Sequence, residues 1–137
     1  MEFSRIILAD GDADFASMIT ALAMKEGMYI SWLNDGQKVV DALSSGVIPD
    51  LLIIDRNLET HDAFSLLKSI RAAKNMDALT TIVMSATPTT EEEIHAFNLG
   101  AIDYVHKPVN PKAFTARLAA RIRHARRIAD VISVPRI

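Results

Sequence analysis

The chain has 137 residues, of which half are hydrophobic, and a formal net charge of −2. This length favours a single domain, and this composition supplies enough apolar surface for a real core. The charge gives no overall reason to expect nucleic-acid binding. The absence of cysteine excludes a disulfide framework and any thiolate metal site.

Two patterns bear on location. No apolar run approaches the ~20 residues that a membrane-spanning helix needs. Residues 1–5 lack the basic and apolar segments of a signal peptide. We therefore expect a soluble cytoplasmic protein with no membrane contact.

The first half of the chain alternates between strand and helix patterns. Arg5–Asp10 is predicted to be a strand, followed by a helix capped near Asp12. Tyr29–Leu33 is predicted to be the second strand, and Asp35 is placed to cap a second helix. The side chains expected to face the core from these elements are Phe15, Met18, Ile19, Leu22, Trp32, Val39, Val40 and Leu43.

The second half repeats the alternation. Leu51–Asp55 and Thr81–Ser85 are predicted to be strands, each with a helix after it. Thr90–Glu93 has the form of a capping box, and Ala101–Val105 is the fifth predicted strand. Asn110-Pro111 opens the last helix with a cap followed by proline. The expected inward side chains here are Phe64, Leu67, Ile70, Ile94, Phe97, Leu99, Phe114, Leu118, Ile122 and Ala125.

Five strand–helix pairs with nearly continuous apolar strands predict the α/β class, with a doubly wound five-stranded parallel sheet covered on both faces. Residues 1–128 are expected to form this domain. Residues 129–137 lose the helical pattern and contain Pro135, so we expect a C-terminal tail or the start of a linker.

Polar residues follow four of the predicted strands. They are Asp10 and Asp12 after the first, Asp55 at the third, Ser85 at the fourth and Lys107 after the fifth. Ligands of open α/β sheets bind beyond the carboxyl ends of the strands, so these residues are candidates for one shared site. Taken alone, a strand-end aspartate usually bonds to its own loop and a lysine usually faces solvent. Their coincidence on one predicted rim favours function.

Several other chemistries have no support. The sequence contains no G-x-G-x-x-G, no Walker P-loop and no G-x-S-x-G elbow. The four histidines, His61, His95, His106 and His124, are scattered without metal-ligand spacing. A stand-alone hydrolase is weakly supported, because nothing beyond the rim offers a second catalytic carboxylate or a substrate pocket.

Four segments carry a resemblance to a known family: Ile7–Asp10, Pro49–Asp55, Met84–Ala86 and Gly100–Pro108. With these motifs in order, residues 5–127 resemble the receiver domain of bacterial two-component response regulators. The resemblance implies a flavodoxin-like (βα)5 fold with strand order 2-1-3-4-5.

The resemblance also implies a chemistry for the rim. Asp55 would accept a phosphoryl group from a sensor histidine kinase or a phosphotransfer protein, without acting as a conventional enzyme. Lys107 would stabilise the phosphoryl group, and the Lys107-Pro108 bond would be cis. A Mg²⁺ ion would be held by Asp10, Asp55 and the backbone carbonyl of Asn57.

The remaining family roles concern switching. Ser85 would hydrogen-bond the phosphorylated aspartate, and the small Ala86 would leave room for the phosphodonor. Tyr104 would swing inward when Ser85 moves. This change would alter the face formed by the fourth helix, fifth strand and fifth helix, through which a homodimer or an output domain would form.

The chain departs from the family beside Asp10. Receiver domains usually have a second acidic residue where this chain has Gly11. Asp12 is an alternative metal ligand or simply the cap of the first helix, and the cap is the favoured interpretation. An alternative function follows, a degenerate receiver that binds proteins without phosphorylation.

The loop after Asp55 also departs from the family, with Glu59 in place of a proline and Ala63 in place of a glycine. Glu59 would add negative charge or face water. Arg56 would pair with Asp12 or Glu59, or lie on the surface.

The last helix is strongly basic, and the charge has two explanations. A nucleic-acid or membrane-surface contact lacks an accompanying aromatic or groove-reading motif, so we expect no direct nucleic-acid binding. A solvated face with ion pairs to a neighbouring helix or a symmetry mate is favoured. The basic residues are Lys112, Arg117, Arg121, Arg123, His124, Arg126 and Arg127.

Overall fold

The computed structural model describes the backbone of residues 3–73, 76 and 78–133. Strands and helices alternate along it: β1 Ser4–Ala9, α1 Ala13–Lys25, β2 Met28–Leu33, α2 Gly36–Ser44, β3 Leu51–Asp55, α3 Ala63–Ala72, β4 Thr81–Ser85, α4 Thr90–Asn98, β5 Asp103–His106 and α5 Pro111–Ser133. The strands form one sheet in the order β2-β1-β3-β4-β5, and every neighbouring pair is parallel. The predicted fold class and strand order are confirmed.

The sheet separates two hydrophobic cores, because successive side chains of a strand point to opposite faces. On one face, Ile6, Ile53 and Ile82 pack against α1 and α5. On the other, Ile54 and Val83 pack against the helices α2, α3 and α4. The central strands are covered on both faces, which explains their nearly continuous apolar sequence.

Side chains cap the helices at their N-termini. Asp12, Asp35 and Asp62 each accept a hydrogen bond from a backbone N–H in the first turn of α1, α2 and α3. The capping box of α4 begins one residue earlier than predicted, because Thr89 is the cap and accepts from the backbone of Glu92. These caps satisfy N–H groups that have no partner within the helix.

Several predicted core residues lie at the surface. Met18 is 43% exposed, Trp32 40%, Ile94 54% and Phe97 44%. The buried residues of α1 are Ala16, Ile19 and Ala23, and α4 buries Ala96. Met18, Ile94 and Phe97 lie beside these positions on their helices and face outward, while Trp32 lies on β2, an edge strand with a neighbour on one side only. The predicted inward positions of these four residues were therefore wrong.

Two predicted boundaries also differ. The fifth strand begins at Asp103, because residues 101–102 lead out of the Gly100 turn before joining β4. Helix α5 continues to Ser133, so the helical pattern does not end at Ala129 as predicted. No proline or glycine interrupts the helix before Pro135, and residues 134–137 lie outside the described part of the chain. Within the described residues, no helix is long and apolar enough to span a bilayer.

Candidate functional site

Three strand ends converge on one ammonium group. Lys107 Nζ donates to Asp10 Oδ2 at 2.6 Å and to Asp55 Oδ2 at 2.7 Å. The Asp10 side chain is 1% exposed, while Asp55 and Lys107 are 18% and 17% exposed. The predicted meeting of these residues at the carboxyl ends of β1, β3 and β5 is what the structure shows, and the site opens to solvent on the side of Asp55.

Backbone amides hold the second oxygen of each carboxylate. Asp12 N donates to Asp10 Oδ1 at 2.8 Å, and Asn57 N donates to Asp55 Oδ1 at 2.9 Å. Each carboxylate therefore has one oxygen on Lys107 and one on its own loop. This arrangement fixes the side chains against the strand ends, as a preorganised charged site requires.

Burial and ion pairing shift the pKa values of Asp10 and Lys107. Burial raises the pKa of Asp10, although the hydrogen bonds from Lys107 and the Asp12 amide act to lower it. Burial acts to lower the pKa of Lys107, but the hydrogen bonds to Asp10 and Asp55 outweigh it and hold that pKa above its usual value. Lys107 is therefore a permanent cation at neutral pH.

The other rim residues surround this cluster. Ser85 is fully buried at the end of β4, and its Oγ accepts from Thr87 N at 3.1 Å. Ala86 and Lys107 line an open cavity of about 600 Å³ between α1 and the segment after β5. This cavity opens to solvent beside the rim, and the outward-turned Met18 is part of its wall. The Lys107-Pro108 bond is cis, as the resemblance implied.

Tyr104 already occupies an inward position. It is 5% exposed, and its hydroxyl donates to Glu92 Oε2 of α4 at 3.3 Å. Its ring meets His106 edge-on at 5.8 Å between centroids.

The geometry bears on two alternatives that the sequence left open. Asp12 caps α1, since its Oδ1 accepts from Phe15 N at 3.1 Å. Among the described contacts, Arg56 pairs with neither Asp12 nor Glu59. Its Nη1 donates to Asp62 Oδ2 at 2.9 Å, and its Nε lies 3.4 Å from Glu92 Oε1. Both suggested pairings of Arg56 were wrong, because its half-buried side chain turns toward α3 and α4, away from the rim.

Helix α2 anchors the loop that follows Asp55, which the sequence did not predict. Gly36 N donates to Glu59 O at 2.9 Å, and Thr60 Oγ1 donates to Asp35 Oδ2 at 2.5 Å. Thr60 has a positive φ of 71°, a conformation costly for a β-branched residue. A Cβ on Gly36 would lie 2.3 Å from the carbonyl oxygen of His61, so only glycine permits this close approach. The anchor fixes the loop that carries Asn57.

The residues at the rim fit a hard cation. Mg²⁺ prefers oxygen ligands and usually takes one or two carboxylates while keeping several waters. Asp10, Asp55 and the carbonyl of the exposed Asn57 supply such a set. No group of three or more acidic or histidine side chains suited to a metal occurs among the described residues. A cation here would therefore depend on water for its remaining ligands.

The basic face of α5 is partly neutralised within the chain. Arg121 Nη2 lies 3.3 Å and Arg117 Nε 3.9 Å from Asp103 Oδ2 of β5. Arg126 lies 3.5 Å from Asp50, in the loop before β3. These three arginines do form ion pairs within the chain, but the expected helix partner was wrong, because the acidic partners lie on a strand and a loop.

The anchor at Gly36 generates a stability prediction. We expect Gly36→Ala to lower the free energy of unfolding by roughly 1–3 kcal/mol, because the added Cβ overlaps the backbone of the loop. Urea unfolding followed by circular dichroism measures the change. Gly11→Ala is the matched control, since a Cβ there meets nothing within 4 Å. Equal effects of the two substitutions would contradict the close approach.

The raised pKa of Asp10 generates a pH prediction. A carboxyl whose folded pKa exceeds its unfolded value binds its proton more tightly in the folded state, so its ionisation at neutral pH costs stability. Asp10→Asn is therefore expected to unfold at higher temperature than the wild type at pH 7. The difference should shrink as the pH falls from neutral toward the usual aspartate pKa of 3.8. A variant less stable than wild type at pH 7 would show that Lys107 dominates the charge balance.

Comparison with known proteins identifies the family to which the chain is similar. The family model for the response regulator receiver domain matches residues 6–119. The DNA-binding response regulator MtrA of Mycolicibacterium paratuberculosis is 29% identical over 119 residues, which cover 87% of this chain and 51% of that protein. The transcriptional regulatory protein CpxR of Escherichia coli is 27% identical over 122 residues, covering 89% and 50%. The chain spans about half the length of these curated relatives.

Solved structures agree with the fold. The signal receiver domain of a putative LuxO repressor protein from Vibrio parahaemolyticus superposes with a TM-score of 0.85, at 18% identity, covering 97% of this chain and 99% of that one. HP1043, an orphan response regulator of H. pylori, gives a TM-score of 0.75 at 27% identity, covering 88% and 97%. With the family model matching most of its length, the chain belongs to the response regulator receiver domain family.

Proposed function

We propose that this receiver domain is a phosphoryl-accepting switch and that Asp55 is the acceptor. The observation that carries the proposal is the contact of Lys107 Nζ with both Asp55 and Asp10. A cation held between a partly exposed carboxylate and a buried one is suited to an anionic phosphoryl group. The donor is a phosphohistidine of a sensor kinase or a phosphotransfer protein, and the compartment is the cytoplasm.

The transfer exchanges one bond for another. A carboxylate oxygen of Asp55 forms the new bond to phosphorus while the bond from phosphorus to the donor imidazole nitrogen breaks. The imidazole leaves with the electron pair and later takes a proton from solvent. Stabilisation of such a transfer is mainly electrostatic and positional, because charge spreads over the phosphoryl oxygens.

Each rim residue has a separate role in the proposed phosphoryl transfer. Lys107 is held in its charged form by the two carboxylates, so it can pair with phosphoryl oxygens without gaining a proton. Asp10, Asp55 and the carbonyl of Asn57 would hold Mg²⁺, which supplies further positive charge against the phosphoryl group when bound. The backbone amide of Asn57 orients Asp55 from the other side.

The signal would pass from the rim to the output face through residues of β4 and β5. Ser85 would bond the phosphorylated side chain, and Tyr104 would report that contact to the face formed by α4, β5 and α5. The relatives are described as DNA-binding or transcriptional regulators twice the length of this chain. We propose that this face meets a second copy or an output domain and that residues beyond α5 lead toward such a domain. The domain itself turns over no external substrate.

Gly11 motivates the alternative, a degenerate receiver that binds partners without phosphorylation. The rim has two carboxylates, and Lys107 bridges both. One solved relative is itself described as an orphan regulator. The two functions differ in one observable, because only the switch takes up a phosphoryl group or its analogue beryllofluoride.

Intact mass distinguishes the two functions. After incubation with a small acyl or amido phosphate, the wild-type protein is expected to gain one phosphoryl group in the presence of Mg²⁺ and none after chelation. Asp55→Asn should gain none, because the nucleophilic carboxylate is gone. Asp62→Asn is a matched control outside the rim. Equal labelling of Asp55→Asn and wild type would refute the acceptor assignment, and an unlabelled folded wild type would favour the degenerate receiver.

Gly11 offers a gain-of-function prediction. Its position has open space and its φ lies outside the left-handed region, so Gly11→Asp should fit without strain. A third carboxylate is expected to raise Mg²⁺ affinity at least about tenfold, since tenfold requires only ~1.4 kcal/mol and unit charges at 4 Å near a surface interact by ~4 kcal/mol.

Trp32 provides the measurement. It is the only tryptophan, and its Nε1 donates to the carbonyl oxygen of Asp10 at 2.7 Å. Fluorescence titration with Mg²⁺ should therefore report binding at the rim. Gly11→Asn is the control of similar size without charge. An affinity that rises equally in both variants would contradict a role for the added charge.

A further inference from the structure

Tyr104 is held inward by a carboxylate on α4. Its hydroxyl donates to Glu92 Oε2 at 3.3 Å while the ring is 5% exposed.

Glu92 is in turn held by Arg56. Glu92 Oε1 lies 3.4 Å from Arg56 Nε, at ion-pair distance but outside hydrogen-bond geometry. Arg56 directly follows the proposed phosphoacceptor. One carboxylate thus links the loop after β3 to the aromatic residue of β5 through α4.

Arg56 is itself fixed from several sides. Its backbone N–H donates to Met84 O at 2.7 Å, and its Nη1 donates to Asp62 Oδ2 at 2.9 Å. The guanidinium lies 4.2 Å above the centre of the Phe64 ring, and that ring contacts the tilted ring of His95 of α4 at 4.7 Å between centroids. With its side chain 21% exposed, this arginine is a rigid anchor for Glu92.

We propose that Arg56 and Glu92 form a tether that holds Tyr104 inward through contacts that do not involve the rim residues Asp10, Asp55 and Lys107. The tether requires two particular residues of this chain, an arginine directly after Asp55 and a glutamate in the first turn of α4. Arg56 and Glu92 are positioning residues, because the described hydrogen bonds and ion pairs of their side chains do not involve Asp55, Asp10 or Lys107.

The electrostatics of the site agree with the tether. Burial raises the pKa of Tyr104, the Ser85 hydroxyl and Arg56 act to lower it, and the charge and hydrogen bond of Glu92 act to raise it further. The phenol therefore stays protonated and remains a donor to Glu92. His106 is the other titratable neighbour of the ring, and its Nε2 lies 3.9 Å from Glu93.

The inference deepens the proposed switch and rests on it for its regulatory meaning. If α4 already holds Tyr104 inward, phosphorylation stabilises a position that is populated beforehand. The free energy available to the switch is then the difference between the tethered protein with and without a phosphoryl group. A partner that displaces α4 changes the environment of Tyr104 directly.

The test places one fluorine label on Tyr104. The chain has two tyrosines, so 3-fluorotyrosine in a Tyr29→Phe protein gives a single ¹⁹F signal. The shift of that signal between H2O and D2O measures solvent exposure of the ring. We expect a small isotope shift in the tethered protein and a large one in Glu92→Ala. Arg56→Ala should raise the shift in the same direction, because Glu92 loses its anchor.

Glu91→Ala is the matched control, an acidic residue in the same first turn of α4. It should leave the ¹⁹F signal unchanged, whereas Glu92→Gln, which keeps an acceptor oxygen, should restore most of the burial lost in Glu92→Ala. An isotope shift that stays small in Glu92→Ala, from a protein folded by circular dichroism, would overturn the tether.

The same label separates the tether from the proposed function. Adding Mg²⁺ and beryllofluoride to Glu92→Ala should return Tyr104 to the buried signal, because the phosphoryl analogue and the tether both favour the inward position of this side chain. If Glu92→Ala exposes the ring and beryllofluoride changes no variant, the tether stands and the phosphoryl switch fails.

Discussion

The ammonium of Lys107 is the interaction on which the rim depends. It contacts carboxylates from two other strand ends at 2.6 and 2.7 Å, so β1, β3 and β5 meet through one charge. Without that cation, Asp10 would be a buried charge with a single amide partner, which proteins rarely tolerate. The parallel sheet supplies the geometry, because all carboxyl ends face the same edge. The hydrophobic cores on both faces hold the strands in the register that brings the three residues together.

Gly11 changes what this cluster can hold. With a second acid at that position, the site would have an excess of negative charge that a divalent cation relieves. With glycine, Lys107 and the two carboxylates together carry one net negative charge, so we expect a weaker attraction for Mg²⁺. The chain keeps Asp55, Lys107 and a loop anchored by α2. These features support the proposed phosphoryl transfer, and the missing acid bears on cation affinity.

Much of this could be predicted from the sequence. Continuous apolar strands predict a covered parallel sheet, and a polar residue at each strand end predicts a shared rim, because both depend on local patterns. Trp32, Met18, Ile94 and Phe97 were misplaced because hydrophobicity alone does not say which apolar residues a neighbouring element covers. The pairing of Arg56 with Glu92 and the anchor at Gly36 were missed because they join segments far apart in the chain. Their only local signals were an arginine after Asp55 and a glycine after a helix cap.

Chemical trapping of the acceptor tests the central claim most directly. Borohydride reduces an aspartyl phosphate to homoserine, so the wild-type protein treated with phosphodonor and Mg²⁺ can be reduced, digested and sequenced by mass spectrometry. The account predicts homoserine at position 55 and at no other aspartate, in an amount that rises with Mg²⁺. Homoserine at Asp10 or Asp12 with Asp55 unmodified would contradict the assignment of Asp55 as the phosphoryl acceptor.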